Sequence, residues 1–475
     1  MRPMSSPPDS APRASVPYLR LAALGIAILA LGVRVPLMTI RGNPADQRWF
    51  MEWSEISRPG STIAPPGGLH KVYDFKPRSR HRWSNYPPGY ILVLRVLAPV
   101  YDWIAPPGER LDKDLVARFR NSQDLACRRA WVLYKWPAVL ADAAIAALLC
   151  VWIGRRARRA AGLTAGLLAA LSPPLIFNSA VWGQVDSVFM LPMLISLERA
   201  LSGRVVATAF WAALAILIKA QAIMLAPLWL AVGIVQAGRN WKTWLMVLAA
   251  AAAPTVLVLL PFYKTIDGLL AAYTHASFQY PYTHMNGFSG WFIVHPLVSP
   301  QMGRISEAYV SDLHMLGYGV TARVAGMIAV VISWITIIVF LIRRRCDGPS
   351  LRWAAKLLPL VFFCFSTQMH ERYILPAIGL WLWAYARGGH WRACFALISI
   401  AAFFNVLWAW AGYGEMWWTN FWYDALHRTW LNYPSGQWCA IALLLVLVLT
   451  AASFPRRRVG GALEQGGLIT GQGNR

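Results

Sequence analysis

The sequence predicts an all-α, polytopic membrane protein, and three observations carry that prediction. Hydrophobic residues make up 57% of the 475-residue chain and charged residues only 14%, against about a quarter charged in an ordinary soluble domain. The mean hydropathy is +0.43. Apolar runs near the length a bilayer demands, roughly 17–25 residues, recur between short clusters of Lys and Arg. This composition excludes a soluble globular enzyme and, with 25 Trp, a disordered chain. A net charge of +24 would point to nucleic acid in a soluble protein. Here it reads as cytoplasmic loops rich in Lys and Arg, and no nucleic-acid partner is expected. The six cysteines show no CxxC or zinc-type spacing, so neither a disulfide framework nor a metal site is expected.

The elements follow in order. Residues 1–17 are Pro/Ser-rich and read as a disordered cytoplasmic tail. The run 18–40 carries Arg34 and lacks a small-residue cleavage site, so it reads as a first spanning helix and not a signal peptide. Orientation comes from the basic clusters, chiefly Arg155–Arg159, Arg343–Arg345 and Arg456–Arg458. Placing all of them inside requires an even number of crossings between neighbours. Before residue 155 the candidates are 18–40, 87–104 and 130–153, one too many. The weakest is 87–104, with Pro87-Pro88, Arg95 and Pro99; a mid-segment Arg costs about 2.5–3.5 kcal/mol on insertion. It is therefore expected to be interfacial. Further spans are expected at 161–178, 187–200, 205–220, 222–236, 243–263, 321–342, 352–366, 373–386, 391–408 and 437–453. The expectation is about twelve helices in one transmembrane unit over 18–455. Outer segments fall at 41–129, 264–320 and 409–436, and a cytoplasmic tail at 456–475. Trp417, Trp418, Trp422 and Trp430 suit an aromatic belt.

This topology sorts residues it was not built from. The polar clusters WGQVD (182–186), KAQ (219–221), THMNGF (283–288) and MHERY (369–373) all land at outer helix ends. Polar groups at membrane depth are costly and usually line a polar cavity. Any one cluster could be helix-end anchoring; four on one face point to a shared site.

Asn43-Pro44 is a helix-start signal, with Asn as N-cap and Pro at the first helical position. The helix is expected to run to about Ser57, stopped by Pro59-Gly60, which puts Asp46 at the third position. Trp49, Phe50 and Trp53 share its face, the face a membrane-surface helix buries. Asp46 could simply complement the helix dipole. An acid on an apolar face is also poorly hydrated and raised in basicity, which suits a general base. Glu52 and Glu55 read as solvated-face charges. The Asn85–Tyr90 element has a double Pro that stiffens entry into the interfacial helix. The intervening His70, Lys71, Lys76, Arg78, Arg80, His81 and Arg82 form either a solvated face or a seat for anionic headgroups. Asp142, mid-helix, reads as a buried structural acid bonding to a neighbouring helix; Lys135 is too far along the helix to pair with it. Asp186 could cap the helix from Ser187 and, compatibly, act as a cavity acid. Lys219 could snorkel or neutralise a phosphate. His370-Glu371-Arg372-Tyr373 opens a short helix, where Arg372 is the planar partner phosphate prefers. A Glu371–Arg372 pair is disfavoured, because adjacent helical residues do not face each other.

The ordered set DQRWFMEW, YPPGY, KWPAVLAD, NSAVWGQVDS, KAQ, HMNGFSGW and MHERYILP resembles the GT-C superfamily of integral-membrane glycosyltransferases over roughly 18–450. The nearest likeness is to bacterial relatives of the GPI-anchor mannosyltransferases. The resemblance implies a GT-C-like fold in the bacterial inner membrane and a polyprenyl-phosphate donor of mannose or another hexose. It also implies an active site on the periplasmic face. By position, Asp46 would be the catalytic acid or base and Asp186 the second outer-loop acid, with His370–Arg372 near the donor phosphate. Many relatives carry a paired acid in the first loop. Here the motif is Asp46-Gln47-Arg48, which argues against a divalent metal bridging two carboxylates, and no cofactor is expected.

The chemistry agrees. Transfer leaves a lipid phosphate, so preorganised cations are wanted, and Lys219, His370 and Arg372 are the candidates. Asp46 would take the acceptor proton, and direct attack inverts the anomeric centre. Tyr86, Trp182, Gln184, Gln221, His284, Asn286 and Glu371 are further candidates to touch substrate. The acceptor, a glycolipid, lipid-linked saccharide or protein, is not encoded legibly. The rival readings are an O-antigen-type ligase or polymerase using a diphosphate-linked saccharide, and a lipid or solute transporter.

Overall fold

The computed structural model describes residues 16–74, 84–119, 122, 124–276, 279–298, 310–385, 388–412, 429–430 and 433–455. Residues 1–15 and 456–475 therefore lie outside the described residues, as do Lys76, Arg78, Arg80, His81, Arg82, Trp417, Trp418 and Trp422; Val16 and Pro17, expected in the first tail, open the first helix instead.

The chain is mostly helical. The first third holds α1 (Val16–Leu37), α2 (Pro44–Ser57), α3 (Leu69–Val72), α4 (Pro88–Ile104), α5 (Lys113–Arg118) and α6 (Leu125–Arg156). Next come α7 (Arg159–Ala170), α8 (Pro173–Ile176), a π-turn over Phe177–Trp182, α9 (Asp186–Leu201), α10 (Val205–Ile218) and α11 (Ala226–Ala237). Then follow α12 (Trp241–Leu259), α13 (Ile266–Ala276) and α14 (Trp291–Val298). The bundle closes with α15 (Ala322–Arg343), α16 (Gly348–Phe365), α17 (Leu375–Trp383), α18 (Gly389–Gly412) and α19 (Ser435–Ala452). The described strands are minimal: β1 (His284–Met285), β2 (Met315–Gly317), β3 (Val320–Thr321), β4 (Met369–His370), β5 (Thr429–Trp430) and β6 (Tyr433–Pro434).

Among the described residues, six helices are long and apolar enough to cross a membrane, or seven if the bent pair 159–170 and 173–182 counts as one span. The 42° bend has a local cause. Pro173 and Pro174 force Ser172 into extended backbone, as residues before proline prefer. α12 and α13 run as one long helix, tightened to 3-10 geometry at Leu260–Thr265, where Pro261 removes a donor. Outward faces such as Leu21, Leu24 and Ile28 on α1, and Leu245, Leu248 and Leu257 on α12, are apolar and exposed, as lipid contact requires. α4 has 17 residues and packs on α2, α6 and α10. There Arg95 donates to the carbonyl of Ser57 at 2.8 Å.

α6 organises the core by packing on α1, α7 and α9. Gly162 on α7 permits the close approach: a Cβ there would lie 2.4 Å from the Cys150 carbonyl oxygen, the small-residue packing typical of membrane helices. Asp142 is buried mid-helix, as its sequence context implied, and its partner is Arg34 of α1 at 2.8 Å. Ser179 donates to the same carboxylate at 2.6 Å, and Ser187 donates as well. Arg34 also donates to the Ala170 carbonyl at 2.7 Å. Lys135 makes no pair with Asp142; it donates to the carbonyls of Met38 and Ile40.

Candidate functional site

α2 forms as its sequence predicts. Asn43 is the N-cap, its side chain accepting from the backbone N–H of Ala45 and Asp46 at 3.0 and 3.1 Å, and Pro44 opens the helix. The Asn43 N–H donates to the Trp182 carbonyl at 3.0 Å, which ties the helix start to the WGQVD turn. Asp46 is half-buried. Its Oδ2 accepts from Trp182 Nε1 at 2.8 Å and Gln184 Nε2 at 2.6 Å. Tyr86 donates in turn to Gln184 Oε1 at 3.1 Å, so a three-residue relay orients the carboxylate. Phe50, Trp53, Tyr86 and Tyr90 pack edge-on or tilted, 5.4–6.0 Å apart, as the wall behind it. Burial pushes the Tyr86 hydroxyl well above its ordinary pKa, against the pull of Arg372; it stays protonated and acts as a donor.

Two sequence expectations on α2 are corrected. Glu52 and Glu55 are buried, not solvated. The segment after Arg58 folds back over the helix, bridging Pro59 to Gly67. Glu55 there accepts from Thr62 N at 2.6 Å and Thr62 Oγ1 at 2.9 Å, and from Ser61.

The capping role expected of Asp186 is corrected as well. The residue is the first of α9 and makes no capping bond. Its carboxylate instead pairs with Lys219 at 2.5 Å and accepts from Asn178 at 3.2 Å. Lys219 is 3% exposed, with its ammonium 5.6–5.8 Å from the ring centres of Tyr86, Phe189 and Tyr373. It neither snorkels nor presents an unmatched charge. The Gln221 side chain lies close enough to the Tyr373 hydroxyl to act on it.

The remaining clusters meet through the backbone. β1 and β4 pair in parallel, with His284 opposite Met369 and Met285 opposite His370, and Asn286 bridges back to His370. Gly287 N–H donates to the Met369 carbonyl at 3.1 Å. His284 turns its ring onto Phe292, 4.8 Å between centres. The His370 ring packs between Tyr280 and Tyr373.

The expected helix at His370–Tyr373 is absent: these residues form a strand end and a turn, and α17 begins at Leu375. Helical geometry therefore no longer separates neighbours, and Arg372 pairs with Glu371 at 2.6 Å. The expectation against that pair is overturned. Burial opposes the Glu371 charge, but Arg372 and His370 prevail and hold its carboxyl at about 2. Arg372 is held strongly protonated: burial opposes its charge, but Glu371 and Asp46 outweigh it. Glu371 thus has a folded pKa below its ordinary 4.5. Its stabilising contribution is full above that value and is lost as pH falls toward 2. We expect wild-type melting temperature to drop between pH 5 and pH 3, and Glu371→Gln to be lower at pH 5 but flatter with acid. Parallel melting profiles for the two proteins would contradict this.

The structure thus brings the twelve predicted residues into one linked region. It also adds Asn178, which sequence reasoning passed over, and gives Tyr373, Gln47 and Gly183 their partners in the wall. Gly183 adopts φ +86, and a Cβ there would lie 1.9 Å from Gln47 Nε2. Only glycine admits both the left-handed turn and the buried Gln47 amide. Gly183→Ala is expected to cost about 1–2 kcal/mol from the backbone alone, seen as a lower melting temperature, and to displace Gln184 from Asp46. An unchanged melting temperature would show that the turn relaxes freely. Among the described residues, no group of three or more His, Cys, Asp or Glu side chains is placed to hold a metal ion.

The chain matches no protein-family model and no curated protein.

Proposed function

We propose that this protein is a GT-C-like membrane glycosyltransferase. It moves mannose or another hexose from a polyprenyl-phosphate donor to an acceptor hydroxyl at the periplasmic face of a bacterial inner membrane. In this reading about twelve helices span, both termini are cytoplasmic, and α4 lies at the outer interface. The observation that carries it is the Asp46 carboxylate, half-exposed, oriented by Trp182 and Gln184, with Arg372 near enough to feel its charge. A base and a fixed cation in one site are what direct displacement at C1 requires. The acceptor oxygen gives its proton to Asp46 and bonds to C1 as the bond from C1 to the phosphate oxygen breaks. Arg372, with His370 beside it, takes up the charge developing on the lipid phosphate. One displacement inverts the anomeric centre. Lys219 and Asp186 act as a neutral pair that shapes the wall.

The test uses purified protein in detergent with radiolabelled polyprenyl-phosphate hexose and a bacterial lipid extract as acceptor. The expected result is labelled product and free polyprenyl phosphate. Consumption of a diphosphate-linked saccharide instead would favour a ligase or polymerase. Substrate movement across proteoliposomes without bond cleavage would favour a transporter. Either result overturns the proposal.

A further inference from the structure

A second concentration of charge lies at the end of the bundle opposite Asp46. Lys135 binds the carbonyls just ahead of α2, at the level of the Asp46 site. Arg156 lies further along the same helix, about 31 Å away at 1.5 Å per residue. That is close to the hydrocarbon thickness of a bilayer, about 30 Å, so Arg156 marks the opposite interface.

Three cations gather there. Arg156 comes from the last turn of α6, and Arg352 and Lys356 come from successive turns of α16. Arg352 lies close enough for its charge to act on both of the others. Glu198 neutralises Arg156 at 3.4 Å and also accepts from Trp383 Nε1 at 3.0 Å. Arg156 is further fixed by donating to the Trp383 carbonyl at 3.2 Å and lying over its ring. Arg352 and Lys356 differ: among the described residues neither has a carboxylate within ion-pair distance. The nearby Asp347 is engaged by Arg344 at 3.0 Å and caps α16. The Lys356 ammonium sits 5.0 Å over the Trp381 ring. The indole N–H groups of Trp381 and of its neighbour Trp391 are buried with no hydrogen-bond partner.

The surroundings are thus rich in donors and poor in acceptors. Half-buried cations that outnumber their carboxylates and buried donors without acceptors are both costly. One anion with several oxygens relieves both costs at once, and a phosphate group suits a paired Arg and Lys. We propose that this cluster binds a phosphate group, with Arg352 and Lys356 on its oxygens and the Glu198-anchored Arg156 at one side. The headgroup of an anionic lipid in the adjoining leaflet and free inorganic phosphate share this chemistry. The inference is independent of the glycosyl-transfer reading, since none of these residues belongs to the Asp46 site.

The test titrates delipidated full-length protein with phosphatidylglycerol, phosphatidylcholine or inorganic phosphate, read by native mass spectrometry and thermal shift. Binding of phosphatidylglycerol over phosphatidylcholine is expected, weakened about tenfold or more in Arg352→Gln/Lys356→Gln, since charge-assisted bonds are lost. Preference for phosphatidylglycerol alone identifies the headgroup as source; an equal response to inorganic phosphate identifies the free anion; both support the site. Trp381→Phe keeps an aromatic ring, removes one donor and is expected to weaken binding should the double variant misfold. The exposed Arg155→Gln serves as the control and should leave affinity unchanged. No preference over phosphatidylcholine, wild-type affinity in the folded variants, or an equal loss in Arg155→Gln would overturn the proposal.

Discussion

Asp46→Asn is expected to lower the rate of sugar transfer by about 10²–10⁴, the usual worth of a general base, while leaving the protein folded. The geometry makes the substitution clean. Trp182 Nε1 and Gln184 Nε2 both donate to one oxygen, Oδ2, and the amide oxygen of Asn can occupy that position and accept both. What disappears is the charge and the ability to take a proton. Binding of the donor should change little, so the loss belongs in kcat with KM nearly constant. Activity within a few-fold of wild type, in protein with a wild-type melting temperature, would remove Asp46 from the chemistry. A Trp182→Phe companion removes one donor and none of the basicity. Its expected effect is smaller and lies in the orientation of the carboxylate.

Much of this site is written in local sequence, and the limit of what can be read there is physical. Asn43-Pro44 sets the start of α2 through one side chain and one fixed φ, so the helix begins and ends where the sequence places it. The convergence of WGQVD, KAQ, HMNG and MHER is what the expected orientation implies, and the contacts that link them are those of Asp46, Lys219 and the β1–β4 pairing. Partner choice is another matter. Glu55 reads as a surface acid until the segment after Arg58 is folded over it. Glu371 and Arg372 cannot meet on a helix, and they meet because β1 draws residues 369–370 into a strand. Asp186 has a local use as a cap and a distant one as the counterion of Lys219; the distant one wins because a buried ammonium without a carboxylate is the costlier alternative. Glu55 and Asp186 take partners that only the packed chain supplies, whereas Glu371 takes its own neighbour because a strand end and a turn replace the helix that would have kept the two apart.

The largest effect on stability is expected at Arg34 and Asp142, whose partnership spans α1 and α6. Arg34→Met leaves a buried carboxylate, and Asp142→Leu leaves a buried guanidinium. Each is expected to cost about 3–5 kcal/mol, the usual consequence of stranding one charge of a buried pair. Neither charge can escape to water: both side chains are essentially inaccessible, and a mid-helix position is too deep for an acid to reach the interface. The double variant Arg34→Met/Asp142→Leu should recover most of that loss, because the desolvation penalty vanishes with the pair. Ser179 keeps the Leu175 carbonyl as a partner at 2.9 Å, so only Ser187 loses its acceptor. The measurement is the fraction of monodisperse protein remaining after heating in detergent, read as a double-mutant cycle. Additive losses, or singles as stable as wild type, would mean the two charges do not hold each other. That outcome would also reopen the transporter reading, which needs a midplane acid free to change partners. A strongly coupled pair, bonded in addition to Ser179 and to the Ala170 carbonyl, is a fixed brace between helices, and a fixed brace is what a site depending on the exact placement of Asp46 requires.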